Sequence, residues 1–402
     1  KLVNHAYHNV PYYKEMFDRR KLMPKDINNV TDLQKLPILT KQDIKENFNK
    51  LIAANYSRKH LKHGHTSGTT GSPLNIYWDK NIVLMTNAVL WRQRNWASLN
   101  FGEKFATFFG RVSVPISQKK PPFWRSNLAH NQLLFSSFHL TRENLKCYFE
   151  KLNNYKPVAI EGYPSNIFIL AKYLESLDQR FPVRSILTTS ETLHKYQREV
   201  IEDRFCCKIY DYYGMAERVV FATECEAHKG HHLNCEYGIT EIVNSAGMAR
   251  GSGQLGRVVA TGLHNYGMPL IRYATNDVST IKKSKCACGR TLPLLEDVTT
   301  KAEDIITTKD GRYISSSALT HPFKPLNNIE ESQIIQDDVD NVRIKIVKKE
   351  GYSNYDTQHL LKEMQARLGS DMLIKIEFVE KIPRGNNGKF RWVISNVPLK
   401  FN

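Results

Sequence analysis

The stretch "HTSGTTGSPL" at residues 65–74 is dominated by hydroxyls and glycines, in a chain whose residues are 41% hydrophobic. Two readings are open. Gly, Ser and Pro are ordinary turn formers, so a surface loop is one of them. The other is a phosphate cradle, in which glycines let backbone N–H groups turn inward as an anion-binding nest and Thr66, Ser67, Thr69 and Thr70 add hydroxyl donors around the same oxygens. The Walker form is excluded, because no Gly-Lys-Ser/Thr ends the stretch. The dinucleotide pattern Gly-x-Gly-x-x-Gly occurs as "GSGQLG" at 251–256, but strand-like "RVVATGL" follows where a helix would have to face pyrophosphate. A turn between two strands is expected there.

Beyond residue 65, short apolar runs bounded by Gly or Pro ("KFATFFG", "VAIEGYP", "SILTTSE") alternate with longer helical stretches such as "SNIFILAKYLESLDQRF". That alternation predicts an α/β domain with largely parallel sheets. Between 237 and 282 the runs "YGITEIV", "QLGRVVAT" and "PLIRYATNDVSTI" predict a β-rich subdomain. Residues 1–62 read as helical and polar, with Thr40 as the N-cap ahead of "KQDIKENF". A break near residue 300 divides a large N-terminal domain, 1–300, from a small α+β C-terminal domain, 301–402.

With 402 residues and 10% aromatics the chain can bury a substantial core. Lys and Arg outnumber Asp and Glu by 57 to 40, a net charge of +17. Such a charge would suit nucleic acid, an acidic membrane surface or a polyanionic substrate. The charges are spread, however, and clusters such as "RRKLMPK" (19–25) and "KKSK" (282–285) lack the long basic stripe with interleaved aromatics of nucleic-acid binders. Solvated basic faces are expected, and nucleic acid is not an expected partner. No run approaches the roughly 18 consecutive apolar residues of a membrane helix, and "KLVNHAYHNVPYYKEMF" lacks a signal peptide's order. The expectation is a cytoplasmic protein with no membrane partner.

The stretch at 65 becomes specific beside three others in the same order: "YDYYGMAE" (210–217), "RYATND" (272–277) and "IPRGNNGKFR" (382–391). Together they resemble the adenylate-forming superfamily of acyl-CoA synthetases, and most closely its phenylacetate-CoA ligase branch with the CapK-like proteins. "HNVPYYKEMF", "TDLQKLPILTKQDI", "GYPSNIFILAKYL" and "TTSETL" look like the same branch, so the resemblance covers nearly the whole chain.

The resemblance implies that ATP and a small carboxylic acid react at the α-phosphate to give an acyl-adenylate and pyrophosphate, after which a nucleophile takes the acyl group. Coenzyme A is the acceptor it implies; an amine or hydroxyl of a sugar would use the same adenylate. It assigns Thr66, Ser67, Gly68, Thr69, Thr70 and Gly71 to the leaving phosphates and Glu217 to Mg²⁺, since a hard cation wants carboxylate oxygen. Tyr212 or Tyr213, followed by Gly214, would pack on adenine with Glu191 in the turn beside it, and Asp277 would accept from the ribose hydroxyls. Lys389 would be the catalytic cation, neutralising charge that grows on the carboxylate and α-phosphate.

The C-terminal domain of this superfamily rotates between half-reactions about a Gly-Arg-x-Asp-Asp hinge. Here the hinge reads Thr300, Lys301, Ala302, Glu303, Asp304, and Lys301 cannot copy the planar Arg fork toward ATP. A second departure is Ala216, where most members carry the Thr of Tyr-Gly-x-Thr-Glu. The altered hinge keeps open a non-catalytic nucleotide-binding protein, against which Lys389 argues.

Seven cysteines in a cytosolic chain do not read as a disulfide framework. "ECEAHKGHH" supplies Cys225 with His228, His231 and His232, and "CACG" supplies Cys286 and Cys288. Such a set offers four soft or borderline ligands for a closed tetrahedral zinc, with free buried thiols as the alternative. Relatives in the branch resemble it in a way that implies His232 as the histidine ligand. Cys147, Cys206, Cys207 and Cys235 read as ordinary residues, with Cys235 a substitute ligand at most.

Overall fold

The computed structural model describes residues 1–65, 74–110, 113–115, 118–140, 142–296, 298, 305–309, 313–315, 319, 321–323, 325–326, 328–383 and 390–397. The chain opens with helices α1 (Leu2–Asn9), α2 (Pro11–Arg19) and α3 (Lys41–Glu46), then strands β1 (Lys62–His65) and β2 (Asn75–Trp78) and helix α4 (Lys80–Trp96). An alternating stretch follows, with β3 (Phe105–Phe108), β4 (Trp124–Asn127), β5 (Gln132–Phe135), α5 (Arg142–Tyr155), β6 (Ala159–Gly162), α6 (Pro164–Ser176), β7 (Ser185–Thr189) and α7 (Lys195–Phe205). Strands then dominate: β8 (Lys208–Gly214), β9 (Phe221–Glu224), β10 (His231–Leu233), β11 (Gly238–Val243), β12 (Gly256–Gly262), β13 (Tyr273–Ser279) and β14 (Leu294–Leu295). The remainder holds β15 (Ile305–Thr307), β16 (Tyr313–Ser315), β17 (Ile329–Gln336), β18 (Asn341–Lys348), the helix Asn354–Leu368, β19 (Leu373–Phe378) and β20 (Val393–Ser395). No helix among the described residues is long and apolar enough to cross a membrane.

The chain forms two compact units, Lys1–Phe101 with Tyr210–Val298, and Gly102–Ile209 with Thr299–Lys400. In the first unit the expected cap is present: Thr40 accepts from the Asp43 N–H at the start of α3, and Asp43 answers to the Thr40 N–H. The amino-terminal helices are less polar than expected, because Tyr13, Phe17 and Ile44 turn inward to share a core with Val258, Ala260 and Tyr273 of the β-rich part. Strands β11, β12 and β13 form an antiparallel sheet, and "GSGQLG" lies in the connection between β11 and β12, with Gly253 at φ +85°. Strands β8, β9, β10 and β14 run side by side in that order.

In the second unit β3 pairs in parallel with β5 and β6, and β6 with β7, while β4 closes the edge antiparallel to β5. Every residue of β3, β6 and β7 is buried, polar Glu161, Ser185, Thr188 and Thr189 included, which is why these strands show no apolar/polar alternation. Phe108 stacks on Phe135 with ring centroids 4.6 Å apart, and each such buried ring contributes roughly 2–3 kcal/mol. Residues 329–395 hold a four-stranded sheet of order β19-β18-β17-β20, and Leu360, Met364 and Leu368 of the helix Asn354–Leu368 fill its core with Ile344 and Val393. The architecture is mixed α/β, with a parallel-sheet region, a β-rich subdomain and an α+β C-terminal part.

Candidate active site and metal centre

Within the first unit, β1 and β2 pair antiparallel from Lys62↔Trp78 to His65↔Asn75, so they flank residues 66–73. Gly64 is required by a close approach: a Cβ there would stand 2.1 Å from the Trp78 ring. The Trp78 indole N–H donates to the Ala216 carbonyl at 3.0 Å, and the Arg218 guanidinium lies 4.2 Å from the centre of its ring. The end of β2 thereby lies beside the turn that carries Glu217. That turn is closed by the Arg218 N–H donating to the Met215 carbonyl, with Arg218 at φ 56°.

Glu217 is buried, and the Tyr273 hydroxyl donates to its Oε1 at 2.6 Å. Burial and the adjacent Glu217 carboxylate hold the Tyr273 phenol far above its ordinary pKa, so it remains a donor. A hydrogen bond to a buried charge of this kind is worth roughly 1.5–3 kcal/mol. Oε2 of Glu217 carries no hydrogen bond among the described residues, which fits a single-oxygen ligand for a hard cation.

Asp277 owes its presentation to a bulge. Thr275, Asn276 and Asp277 stand opposite Val258 alone, because Ala274 pairs with Val259 and Val278 with Arg257. Asn276 takes the left-handed φ of 65°, which Asn tolerates better than most residues. Thr275 Oγ1 donates to the Val258 carbonyl at 2.9 Å and accepts from the Asp277 N–H at 3.1 Å. The buried Tyr213 hydroxyl donates to Asp277 Oδ2. Burial, then the Asp277 charge, keep that phenol protonated. Tyr212, pointing to the opposite face of β8, stacks on Phe221 with ring centroids 5.0 Å apart and planes 8° apart. Tyr213 is thus committed through its hydroxyl, and one face of Tyr212 is covered by Phe221.

Arg272 supports the start of β13. Its Nε donates to buried Glu241 at 3.1 Å, and its other nitrogens donate to the carbonyls of Leu36 (2.6 Å) and Gly247 (2.8 Å). Tyr273 and Arg272 were not singled out from the sequence, although both lie in the quoted "RYATND". A phenol four residues before the acid was the available signal.

Glu191 lies in the second unit between β7 and α7. Its Oε2 accepts from the Ser165 N–H in the first turn of α6 (3.1 Å), and its Oε1 accepts from the Phe390 N–H (3.0 Å). The carboxylate therefore satisfies a helix N-terminal donor and holds the residue that follows Lys389. His194 meets Trp392 edge-on with centroids 5.1 Å apart, and burial lowers its pKa to about 4, so it packs as a neutral ring. Thr66, Ser67, Gly68, Thr69, Thr70, Gly71, Lys301 and Lys389 lie outside the described residues.

Cys225, His232, Cys286 and Cys288 converge in the first unit, with one ligand atom from each lying within 4.8 Å of all the others. Cys225 Sγ is 3.6 Å from Cys286 Sγ, and Cys288 Sγ is 3.3 Å from His232 Nε2. Zinc–sulfur bonds of about 2.3 Å and zinc–nitrogen bonds of about 2.0 Å in a tetrahedron place neighbouring ligands about 3.5–3.8 Å apart, so the set need open only slightly to fit that ion. His232 Nδ1 faces the Leu292 carbonyl at 3.3 Å, which turns Nε2 toward the thiols. Burial pushes the Cys225 thiol up to about 12. Burial also opposes ionisation of Cys288, but hydrogen bonds from the Arg290 backbone and guanidinium outweigh it and bring that thiol below its ordinary value. Arg290 itself stacks on Trp96 at 4.1 Å and pairs with Glu226 at 2.8 Å. Of the other histidines, His231 faces Asp211 and His228 faces Glu224. Cys235 is exposed, and its thiol donates to the Leu233 carbonyl.

Residues 306–396 match the family described as the CapK C-terminal domain. Over 399 residues the chain is 28% identical to protein CapK of Staphylococcus aureus, covering 98% of this chain and 87% of that protein. It is 23% identical over 336 residues to the phenylacetate-coenzyme A ligase of Thermus thermophilus, covering 76% of this chain and 69% of that one. The fold is shared with the crystal structure of 2-hydroxyisobutyryl-CoA ligase in the postadenylation state with R3-HIB-AMP. The TM-score is 0.77 at 19% identity, and the match covers 98% of this chain and 87% of that one. By sequence the chain is a homologue of CapK along nearly its whole length and of the phenylacetate-coenzyme A ligases along about three quarters of it, and it shares its fold with 2-hydroxyisobutyryl-CoA ligase.

Proposed function

We propose that the chain is an AMP-forming ligase that activates a small carboxylic acid with ATP and passes the acyl group to coenzyme A. The observation that carries this is the pair of buried acids, Glu217 and Asp277, each held by a tyrosine hydroxyl in a unit that also brings in the hairpin around residues 66–73. In this reading the acid's carboxylate attacks the α-phosphorus of ATP, the acyl–oxygen–phosphorus link forms, and pyrophosphate leaves. Residues 66–71 hold the leaving phosphates, and Lys389 neutralises the charge that grows on the transferring group. Asp277 accepts from the ribose, and Tyr212 to Gly214 face the base. Glu217 would hold Mg²⁺, which when bound screens the phosphate charge. The zinc proposed for Cys225, His232, Cys286 and Cys288 is structural: all four positions are filled by protein, so none remains for a substrate. Residues 301–402 act as the mobile C-terminal domain, a reading supported by the family match over 306–396.

A second acceptor, the amine or hydroxyl of a sugar, follows from the CapK-like side of the resemblance. The CapK likeness spans 98% of the chain, whereas that to the phenylacetate-coenzyme A ligases spans 76%. ATP/pyrophosphate exchange across a panel of carboxylic acids tests the adenylation step. Acid-dependent exchange is expected, and its absence with every acid while ATP still binds would favour the non-catalytic reading. Coenzyme A and amino sugars offered to the preformed adenylate then separate the acceptors.

Glu191 gives a sharper test of the C-terminal docking. In Glu191→Gln one acceptor oxygen becomes an NH₂ group, which cannot accept from both Ser165 and Phe390. The maximal exchange rate is expected to fall about tenfold, the effect of losing a charge-assisted bond, with the KM for ATP changing much less. An unchanged rate would show that the contact does not position the C-terminal segment.

A further inference from the structure

Strands β8, β9 and β10 line their residues up in rows. Tyr212 stands opposite Thr223, which stands opposite His232, and Tyr213, Ala222 and Leu233 form the next row. Opposed residues share a face of the sheet. The face carrying Tyr212 therefore also carries the metal-cluster residue His232, while Glu224 and His231 point to the other face. There both meet Asp211, the residue before Tyr212. The Asp211 N–H donates to Glu224 Oε2 at 2.8 Å, and Asp211 Oδ2 lies 3.0 Å from His231 Nε2. Glu224 immediately precedes Cys225, and His231 immediately precedes His232. The two cluster residues supplied by this hairpin are thus each joined by one peptide bond to a group that grips Asp211. The remaining two, Cys286 and Cys288, sit in the connection from β13, which carries Tyr273 and Asp277, to β14.

We propose that Asp211 couples the Cys225–His232–Cys286–Cys288 metal centre to nucleotide binding, as a positioning residue that transmits the geometry of the metal-clamped β9–β10 hairpin to Tyr212–Gly214. The inference rests on the reading of those residues, with Glu217 and Asp277, as the nucleotide site. Metal loading pins Cys225 to His232 and thereby fixes Glu224 and His231. Those two hold both the backbone and the carboxylate of Asp211, so the strand that faces the base is set from behind. Closing the same cluster onto Cys286 and Cys288 anchors the far end of β13, so both carriers of nucleotide contacts end on one ion. Coupling between two sites is reciprocal, and a bound nucleotide must retain the metal by the same factor with which the metal tightens the nucleotide.

The experiment uses zinc-loaded protein and AMP, which needs no Mg²⁺ for binding. Zinc affinity is measured by competition with a zinc-selective chelator, with and without saturating AMP, and AMP affinity is measured by calorimetry on loaded and stripped protein. Saturating AMP is expected to tighten zinc about tenfold, within the usual range of coupling between sites. Asp211→Ala is expected to keep one zinc per chain while losing most of that factor. The backbone bond to Glu224 survives in both variants, but Asp211→Asn also retains an oxygen acceptor for His231 and should preserve the factor. Should stripped protein unfold, the chelator competition on loaded protein still reports the factor. Zinc affinity indifferent to AMP, or an Asp211→Ala variant with undiminished coupling, overturns the proposal. If loaded wild-type protein binds no AMP, the nucleotide reading falls and this inference with it. Tight AMP binding with no effect on zinc overturns the coupling alone.

Discussion

Lys389→Ala is expected to reduce acid-dependent ATP/pyrophosphate exchange by about 10²–10³-fold, the loss seen when one preorganised transition-state contact is removed. Binding of ATP should change by only a few-fold. Those expectations differ because the charge that Lys389 meets grows during attack on the α-phosphorus, and an interaction stronger in the transition state than in the ground state acts on the rate. The Lys ammonium is a point charge on a flexible stem, so Ala removes that charge. Rate and ATP affinity measured on the same preparation decide the matter. A parallel loss in both would make Lys389 a ground-state phosphate ligand, and undiminished exchange would remove it from the chemistry altogether.

Cys286→Ser is expected to abolish stoichiometric zinc binding, from one ion per chain to none, as read by elemental analysis of protein purified without added chelator. A hydroxyl is a far poorer ligand for this ion than a thiolate, and the remaining Cys225, His232 and Cys288 leave the fourth position to water, which weakens the hold on the ion. A ligand that binds only the folded state contributes about 4 kcal/mol at a free concentration about 1,000 times its Kd, so the thermal midpoint should fall by several degrees. Cys235→Ser is the control, because that exposed thiol lies outside the cluster, and its variant should keep both metal and stability. If Cys286→Ser retains one zinc, the ion sits elsewhere; if wild-type protein carries none, the four residues are free thiols and a histidine.

The buried strands β3, β6 and β7, the Thr40 cap and the turn at 251–256 were legible because each rests on local information. A run of apolar residues between turn formers, a hydroxyl ahead of a helical period and glycines between two strands need no knowledge of distant chain. The burial of Tyr13 and Phe17 was not legible in the same way. The apolar face of a short polar helix does not say that it will be covered by a β-rich subdomain more than two hundred residues away.

The candidate site divides along the same line. Glu217, Asp277 and the cluster cysteines could be singled out by motif order and spacing, and the resemblance added His232, but which tyrosine holds which acid is a question of three-dimensional register. His231 and His232 are neighbours in sequence, yet they face opposite sides of β10, one toward Asp211 and the other toward the thiols. Asp277 is aimed by a bulge that pairing with β12 creates, and Glu191 meets Phe390, whose partner lies 199 positions away. The sequence by itself determined the periodicities, the caps and the order of the motifs, because these depend on neighbours along the chain. Only the tertiary structure decided the pairing of tyrosines with acids and the grip on Asp211, because side-chain direction across a sheet is set by strand register, which distant pairing fixes.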